Sequence, residues 1–364
     1  MAESDGSVLT PGQQIKATLN LHKAKSLVEL RYGLAVRNIV ELDAYDDRNY
    51  RVECDDEHCS NPHLTNVSKY GYVLKIVNSL DSSKTGLIEA QTGLLLYLDK
   101  SGFTCPVPVQ QIDGTYFSVE SLGEPAHERR HILRLLVYRP GEILRNKCQS
   151  SSIELLTKLG YFTAELNKNM QGYSHPAYET HSSIWFLSSV PKIRVFISAL
   201  DSKNDIDLVE NIIQNFERQV LTATNNFDSG LIHGDLNESN IIVSEDGSEI
   251  AAIIDFGDSH INCFIFELAI CLSYMIVQTK SIESARYILE GYQNVRRLPD
   301  QEKSVLKLCV CARLSQSLVL GTYSYQKEPT NKYLVRDHEV KWLLLKKVWA
   351  MENKDLMNLW NLDV

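Results

Sequence analysis

The sequence predicts an α+β chain of two lobes, a small β-rich lobe followed by a larger helical one. Three observations carry this. Between Gly33 and residue 80 the chain reads as short β-rich segments separated by polar turns. Beyond Arg139-Pro140-Gly141, a strong punctuation signal, apolar residues recur at helical spacing. The helical half is interrupted once, at 230–258, by two short strands.

In order along the chain, residues 1–10 predict a loose tail. Residues 11–32 predict a helix with Ile15, Leu19, Leu27 and Leu30 on its apolar side. Segments 37–45, 50–54 and 70–78 predict strands. A helix over 84–100 follows, its apolar run Leu94–Leu98 bounded by Gly102. Two further strands are expected near 106–112 and 131–138, giving five strands with one helix after the third. The first lobe thus spans 11–139 and the helical lobe 140–364. Helices are expected over 151–170, 207–227, 262–277, 281–296, 301–325 and 338–360. Strands at 241–244 and 250–255 flank the turn Glu245-Asp246-Gly247.

Composition narrows the function. Of the 364 residues, 44% are hydrophobic and 23% charged, a globular balance that excludes wholesale disorder. A formal net charge of −9 argues against a nucleic-acid partner, whose phosphates need a basic face, and is compatible with a cationic substrate. No run of about 18 apolar residues predicts a membrane span. The opening MAESDGSVLTPGQQ has neither the apolar core of a signal peptide nor the arginines of a transit peptide, so a cytoplasmic location is expected. The eight scattered cysteines are expected as free thiols. Cys54, His58, Cys59 and His63 only loosely fit paired zinc-ligand spacing. A polar loop between strands, free of metal, is the expectation there.

The densest chemistry lies in His233-Gly234-Asp235-Leu236-Asn237-Glu238-Ser239-Asn240, with the apolar strand Ile241–Val243 directly after. Phosphoryl transfer needs a carboxylate at the attacking hydroxyl and a neutral oxygen ligand for Mg²⁺. Protein kinases place the two at this interval in H-R-D-L-x-x-x-N. Asp235 and Asn240 fit, with Gly234 where those enzymes have Arg. A second group, Ile254-Asp255-Phe256-Gly257-Asp258, delivers Asp255 at a strand end, where a carboxylate can hold Mg²⁺ on nucleotide phosphates. A third is Lys75, flanked by apolar residues on the third strand, as in the kinase V-A-I-K. Glu89 on the next helix is its expected partner. No glycine-rich loop stands between the first two strands, which leaves Arg48 and Asn49 to cover the phosphates. The A-P-E of protein kinases is also absent. Glu267, inside an apolar helix, is expected as a buried structural partner.

HGDL-x₃-N followed by IDFGD resembles the aminoglycoside phosphotransferase and choline kinase-like family. SLVELRYGL, AYDDRNYRV, HGDLNESNI and IDFGDSH…FELAI are similar, more narrowly, to its members that phosphorylate 5-hydroxy-L-lysine. The likeness covers about residues 20–345. It implies a bilobal protein-kinase-like fold, ligands bound in the cleft between lobes, and GTP with Mg²⁺ as phosphoryl donor and metal. By the same resemblance Asp235 is the proton acceptor, Asn240 and Asp255 are the metal ligands, and Lys75 holds the phosphates. Asp258 is expected beside a substrate amine or as the cap of the next helix. A kinase for an aminoglycoside, choline or a sugar, and a nucleotide-binding scaffold without activity, are the alternative readings.

Overall fold

A computed structural model describes residues 9–124, 128–150 and 152–362. The chain divides at Pro140/Gly141 into two compact units.

The first unit opens with α1 (Leu21–Tyr32), which starts ten residues later than the periodicity predicts. Pro11 and Gly12 precede it, and Asn20 caps it by accepting from the Lys23 N–H at 2.8 Å. Gly33, at φ 61°, closes it. Then come β1 (Leu34–Leu42), β2 (Arg48–Cys59), β3 (Tyr72–Ile76), α2 (Thr85–Lys100), β4 (Phe117–Leu122) and β5 (Arg129–Val137). They form one antiparallel sheet in the order β1-β2-β3-β5-β4. The expected strand near 106–112 is only a bridge from Pro108 to Leu136. Pro106 and Pro108 have no N–H to give a ladder. The fourth strand is instead β4, whose polar residues hid it. One face of the sheet buries Val52, Leu74, Leu133 and Leu135 with Leu27 and Tyr32 of α1. Cys54 and Cys59 lie on β2 itself, opposite Val36 and Leu34, so the expected loop there is strand. His58 pairs with Asp55 at 3.3 Å.

The second unit contains β6 (Glu142–Ile143), α3 (Ile153–Met170), the short α4 (Ala177–Thr180) and a 3₁₀ stretch from Leu187 to Ala199. After it come α5 (Lys203–Gln219), β7 (Ser229–Ile232), β8 (Ile241–Val243), β9 (Ile250–Ile253), β10 (His260–Cys263) and α6 (Phe264–Thr279). Helices α7 (Ala285–Gln293), α8 (Asp300–Lys327), α9 (His338–Ala350) and α10 (Asn353–Leu359) complete it. β6, β8 and β9 form one small sheet, β7 and β10 another. The expected final helix is two, broken at Met351–Glu352, where Lys307 donates to the Trp349 and Met351 carbonyls. α8 is 28 residues long and, against the sequence expectation, apolar enough to cross a membrane; it is a core helix, 89% buried over its apolar window.

Helices α3 and α7 cross at a reciprocal pair of glycines. A Cβ on Gly160 would stand 1.8 Å from the Ile288 carbonyl oxygen, and one on Gly291 1.8 Å from that of Thr157. Those neighbours are backbone and cannot rotate away. In an open helix Gly→Ala stabilises by about 1 kcal/mol. Here the sign reverses. Gly160→Ala is expected to destabilise the fold by about 1–3 kcal/mol through overpacking, read as a lower urea midpoint; a variant as stable as the parent would refute the close crossing.

Candidate active site

Strand β7 ends at Ile232 and hands the chain to His233, which is fully buried. The imidazole Nδ1 accepts from the Asp235 N–H at 3.2 Å. That places the ring proton on Nε2, which donates to the Ile254 carbonyl at 3.0 Å. His233 therefore ties the Asp235 loop to the segment that carries Asp255. Gly234 stands at φ 82°, and a Cβ there would lie 2.4 Å from the Asp258 carbonyl oxygen. No Arg could take this position, which explains the departure from the protein-kinase motif.

Asp235 is partly exposed, its side chain at 22%. Its Oδ2 accepts from Asn237 Nδ2 at 2.8 Å and Asn240 Nδ2 at 2.9 Å. Asn240 Nδ2 also donates to the Asp235 carbonyl at 2.9 Å. The amide nitrogen of Asn240 is thus spent inside the loop, and its Oδ1 is the end left to face a cation. The Asn240 carbonyl accepts from Ile254 N–H at 2.9 Å, so the loop is stitched to the residue just before Asp255. Asp255 itself stands at φ 61°, ψ 67°. A non-glycine residue there is uncommon and is held by its surroundings. The next residue supplies the hold: Phe256 is buried, and its ring meets His233 edge-on at 4.6 Å.

The loop rests on α6. Glu267, with no exposure, accepts from the His233 N–H at 2.5 Å and the Gly234 N–H at 3.2 Å, and from Asn167 at 3.4 Å. Burial pushes its carboxyl up from the ordinary value, while these donors and His233 pull the other way. This is the structural role expected for it. Asp258 does not cap α6, whose preceding residue is Cys263. Its Oδ1 accepts from Ser183 Oγ at 3.4 Å, and its carbonyl accepts from His260 Nδ1 at 2.7 Å. His260 stacks on Phe186 at 3.5 Å, and burial lowers its pKa to about 3.

The second unit therefore brings Asp235, Asn240 and Asp255 into one hydrogen-bonded construction. The first-unit residues are placed differently. Lys75 is buried on β3, and its Nζ pairs with Asp47 at 3.1 Å. Glu89, its expected partner, is exposed on α2. The ladder explains the substitution. Asn49 lies opposite Lys75, so the turn carrying Asp47 ends beside the ammonium. Asp47 Oδ1 is held in turn by the Asn78 N–H at 2.8 Å. Arg48, expected over phosphates, donates to the Ala17 carbonyl at 2.5 Å and pairs with Glu41 at 2.5 Å. Asn49 has its Oδ1 buried.

Sequence reasoning missed Arg313. It lies on α8 with 1% exposure, and its Nη2 donates to Asp235 Oδ1 at 2.7 Å. Its Nη1 donates to the Trp185 carbonyl at 2.8 Å and to Gln316 Oε1 at 2.9 Å. Burial opposes its charge, but Tyr274, Asp235 and Asp258 hold its pKa above the ordinary value. An arginine inside CVCARLSQSLVL was the available signal, since a charge on an apolar helix needs a buried partner.

Residues 41–303 match the model of the phosphotransferase enzyme family. The hydroxylysine kinase of Mus musculus is 32% identical over 351 residues, covering 93% of this chain and 91% of that protein. That of Xenopus laevis is 32% identical over 362 residues, covering 95% and 94%. Among solved structures, an amicoumacin kinase in complex with AMP-PNP, Ca²⁺ and Ami superposes with a TM-score of 0.64 at 16% identity, covering 93% of this chain and 97% of that one. The chain belongs to the phosphotransferase enzyme family and is a kinase whose acceptor is a hydroxyl group.

Proposed function

We propose that the chain transfers the γ-phosphoryl group of GTP to the hydroxyl of 5-hydroxy-L-lysine, in the cytosol, with Asp235 as the base. The observation that carries the reading is the Asp235–Asn240 contact, in a loop stitched to Ile254, the residue before Asp255. It supplies an oriented carboxylate for a hydroxyl beside two oxygen donors for a cation. The acceptor's identity is supported by the hydroxylysine kinases that match nearly the whole chain. The choice of GTP rests on the sequence resemblance. A formal net charge of −9 and the carboxylate of Asp258 favour a cationic amino acid over an anionic sugar phosphate.

The donor set fits Mg²⁺. The Asp255 carboxylate and the Asn240 amide oxygen are hard ligands of the kind this ion takes. When bound it neutralises charge on the nucleotide phosphates. Lys75, paired with Asp47, is the phosphate-binding candidate by the kinase strand motif alone. Asp235 orients the acceptor hydroxyl and takes its proton as the oxygen attacks phosphorus. Lysine offers an ammonium instead, which has no lone pair to attack with.

Three outcomes test this. A nucleotide-consumption assay on 5-hydroxylysine, lysine, choline and kanamycin, each with GTP and ATP, is expected to give turnover with 5-hydroxylysine and GTP and none with lysine. Higher kcat/KM on choline or kanamycin would displace the acceptor while leaving the kinase in place. Asp235→Asn should cut kcat by about 10²–10⁴-fold with nucleotide affinity nearly unchanged; a variant with near-normal kcat removes Asp235 from the mechanism. By calorimetry, Asp255→Ala should abolish Mg²⁺-dependent nucleotide binding, and Asn240→Ala should weaken it less, because only the carboxylate brings formal charge. Asn240→Ala should nonetheless lower kcat, since its amide also holds Asp235. Equal binding losses in the two variants would contradict the ranking.

A further inference from the structure

The two carboxylate oxygens of Asp235 have unequal surroundings. Oδ2 accepts from both Asn237 and Asn240, at 2.8 and 2.9 Å. A carboxylate oxygen has two lone-pair directions, so these amides fill it. Oδ1 accepts from Arg313 Nη2 at 2.7 Å and, among the described residues, from no other side chain. One direction remains on Oδ1. We infer that Oδ1 is the atom that receives the acceptor hydroxyl, and that Arg313 is a positioning residue that aims it. This rests on the phosphoryl-transfer reading above and adds to it a residue on which that reading does not depend.

Arg313 is built for the task. Its guanidinium is anchored at Nη1 by the Trp185 carbonyl and by Gln316. Gln316 is itself fixed by donating to the Ile184 carbonyl at 2.7 Å and the Phe186 carbonyl at 3.0 Å. The rings of Tyr274 and Trp185 lie 5.4 and 5.6 Å from the Arg313 carbon centre, within cation–π range. A planar fork anchored at one nitrogen and packed beside two rings is restrained, so its other nitrogen favours one rotation of the Asp235 carboxylate. With Oδ2 tied to its own loop and Oδ1 tied to α8, the carboxylate presents a single open lone pair. As the acceptor oxygen bonds to the γ-phosphorus and the bond to the nucleoside diphosphate breaks, the hydroxyl proton passes to that position.

A kinetic double-mutant cycle on the full chain tests this, with wild type, Arg313→Gln, Asp235→Asn and the double variant, folding being checked by circular dichroism. Arg313→Gln is expected to lower kcat by about 10–10²-fold while Mg-nucleotide affinity stays within about twofold. In the Asp235→Asn background the same change should cost less than about twofold, because Arg313 acts through Asp235. Equal losses in both backgrounds, or a matching fall in nucleotide affinity, would mean a merely structural role and overturn the inference. Should Arg313→Gln not fold, Arg313→Lys enters the cycle in its place. It keeps a donor but not the fork, and a kcat equal to wild type, or a loss unchanged by Asp235→Asn, would overturn the inference equally. Wild type inactive on every hydroxyl acceptor would instead bring down the phosphoryl-transfer reading itself.

Discussion

The second unit is organised around a buried carboxylate, that of Glu267. Glu267 sits in the first turn of α6, where the helix dipole favours negative charge, and it is fully buried. The backbone N–H groups of His233 and Gly234 point at it because, at the end of β7, they have left the ladder with β10. Without that acceptor each would be a buried unsatisfied donor, at about 1–3 kcal/mol apiece. The bond fixes where the strand ends and how the next residues leave it. Gly234 can then turn at positive φ, His233 can bridge to Ile254, and Asp235 arrives with its carboxylate already aimed. The His233–Asn240 loop takes its shape from α6.

Two kinds of feature were legible in the sequence. The motif residues Asp235, Asn240 and Asp255 stand out in the sequence because phosphoryl transfer calls for those side chains at those intervals, and the structure joins the first two by a hydrogen bond and ties their loop to Ile254, beside Asp255. The long helices could be read because burial of one face imposes a period. α2 and α8 begin and end within two residues of their expected bounds. The failures also have physical causes. β4 carries Ser118, Glu120 and Ser121 because Ser118 donates to Glu120, which holds Arg31 in an ion pair at 2.7 Å; a strand satisfied by polar side chains lacks the apolar alternation that marks strands. α1 starts later than its apolar spacing suggests because Ile15 and Ala17 are buried although non-helical, so burial there is not a sign of period.

The partner of Lys75 shows a different limit. A lysine on a third strand and a glutamate on the following helix share only a sequence distance. Asp47 reaches the ammonium through cross-strand register, which depends on the length of the β1–β2 turn. Register is a property of paired strands and is not written in either strand alone. The same holds for Arg313. It lies 78 residues from Asp235 in the chain, and nothing local to either residue declares the other.

α8 joins these threads. Its composition is apolar enough for a membrane, yet it carries Arg313, Ser315, Gln316 and Ser317 buried in the protein interior. A buried guanidinium is tolerable only where acceptors replace its water, and removing one partner of such a pair costs about 3–5 kcal/mol. Here the acceptors are the carbonyl of Trp185, the side chain of Gln316 and the carboxylate of Asp235. Asp235 is consequently the counter-charge of a core cation. The converse also holds, for a carboxylate drawn toward the interior needs the donors that Arg313, Asn237 and Asn240 supply. The core helix and Asp235 each provide the solvation the other has lost, and so the Asp235 loop is held by the packing of the unit rather than by its own few residues.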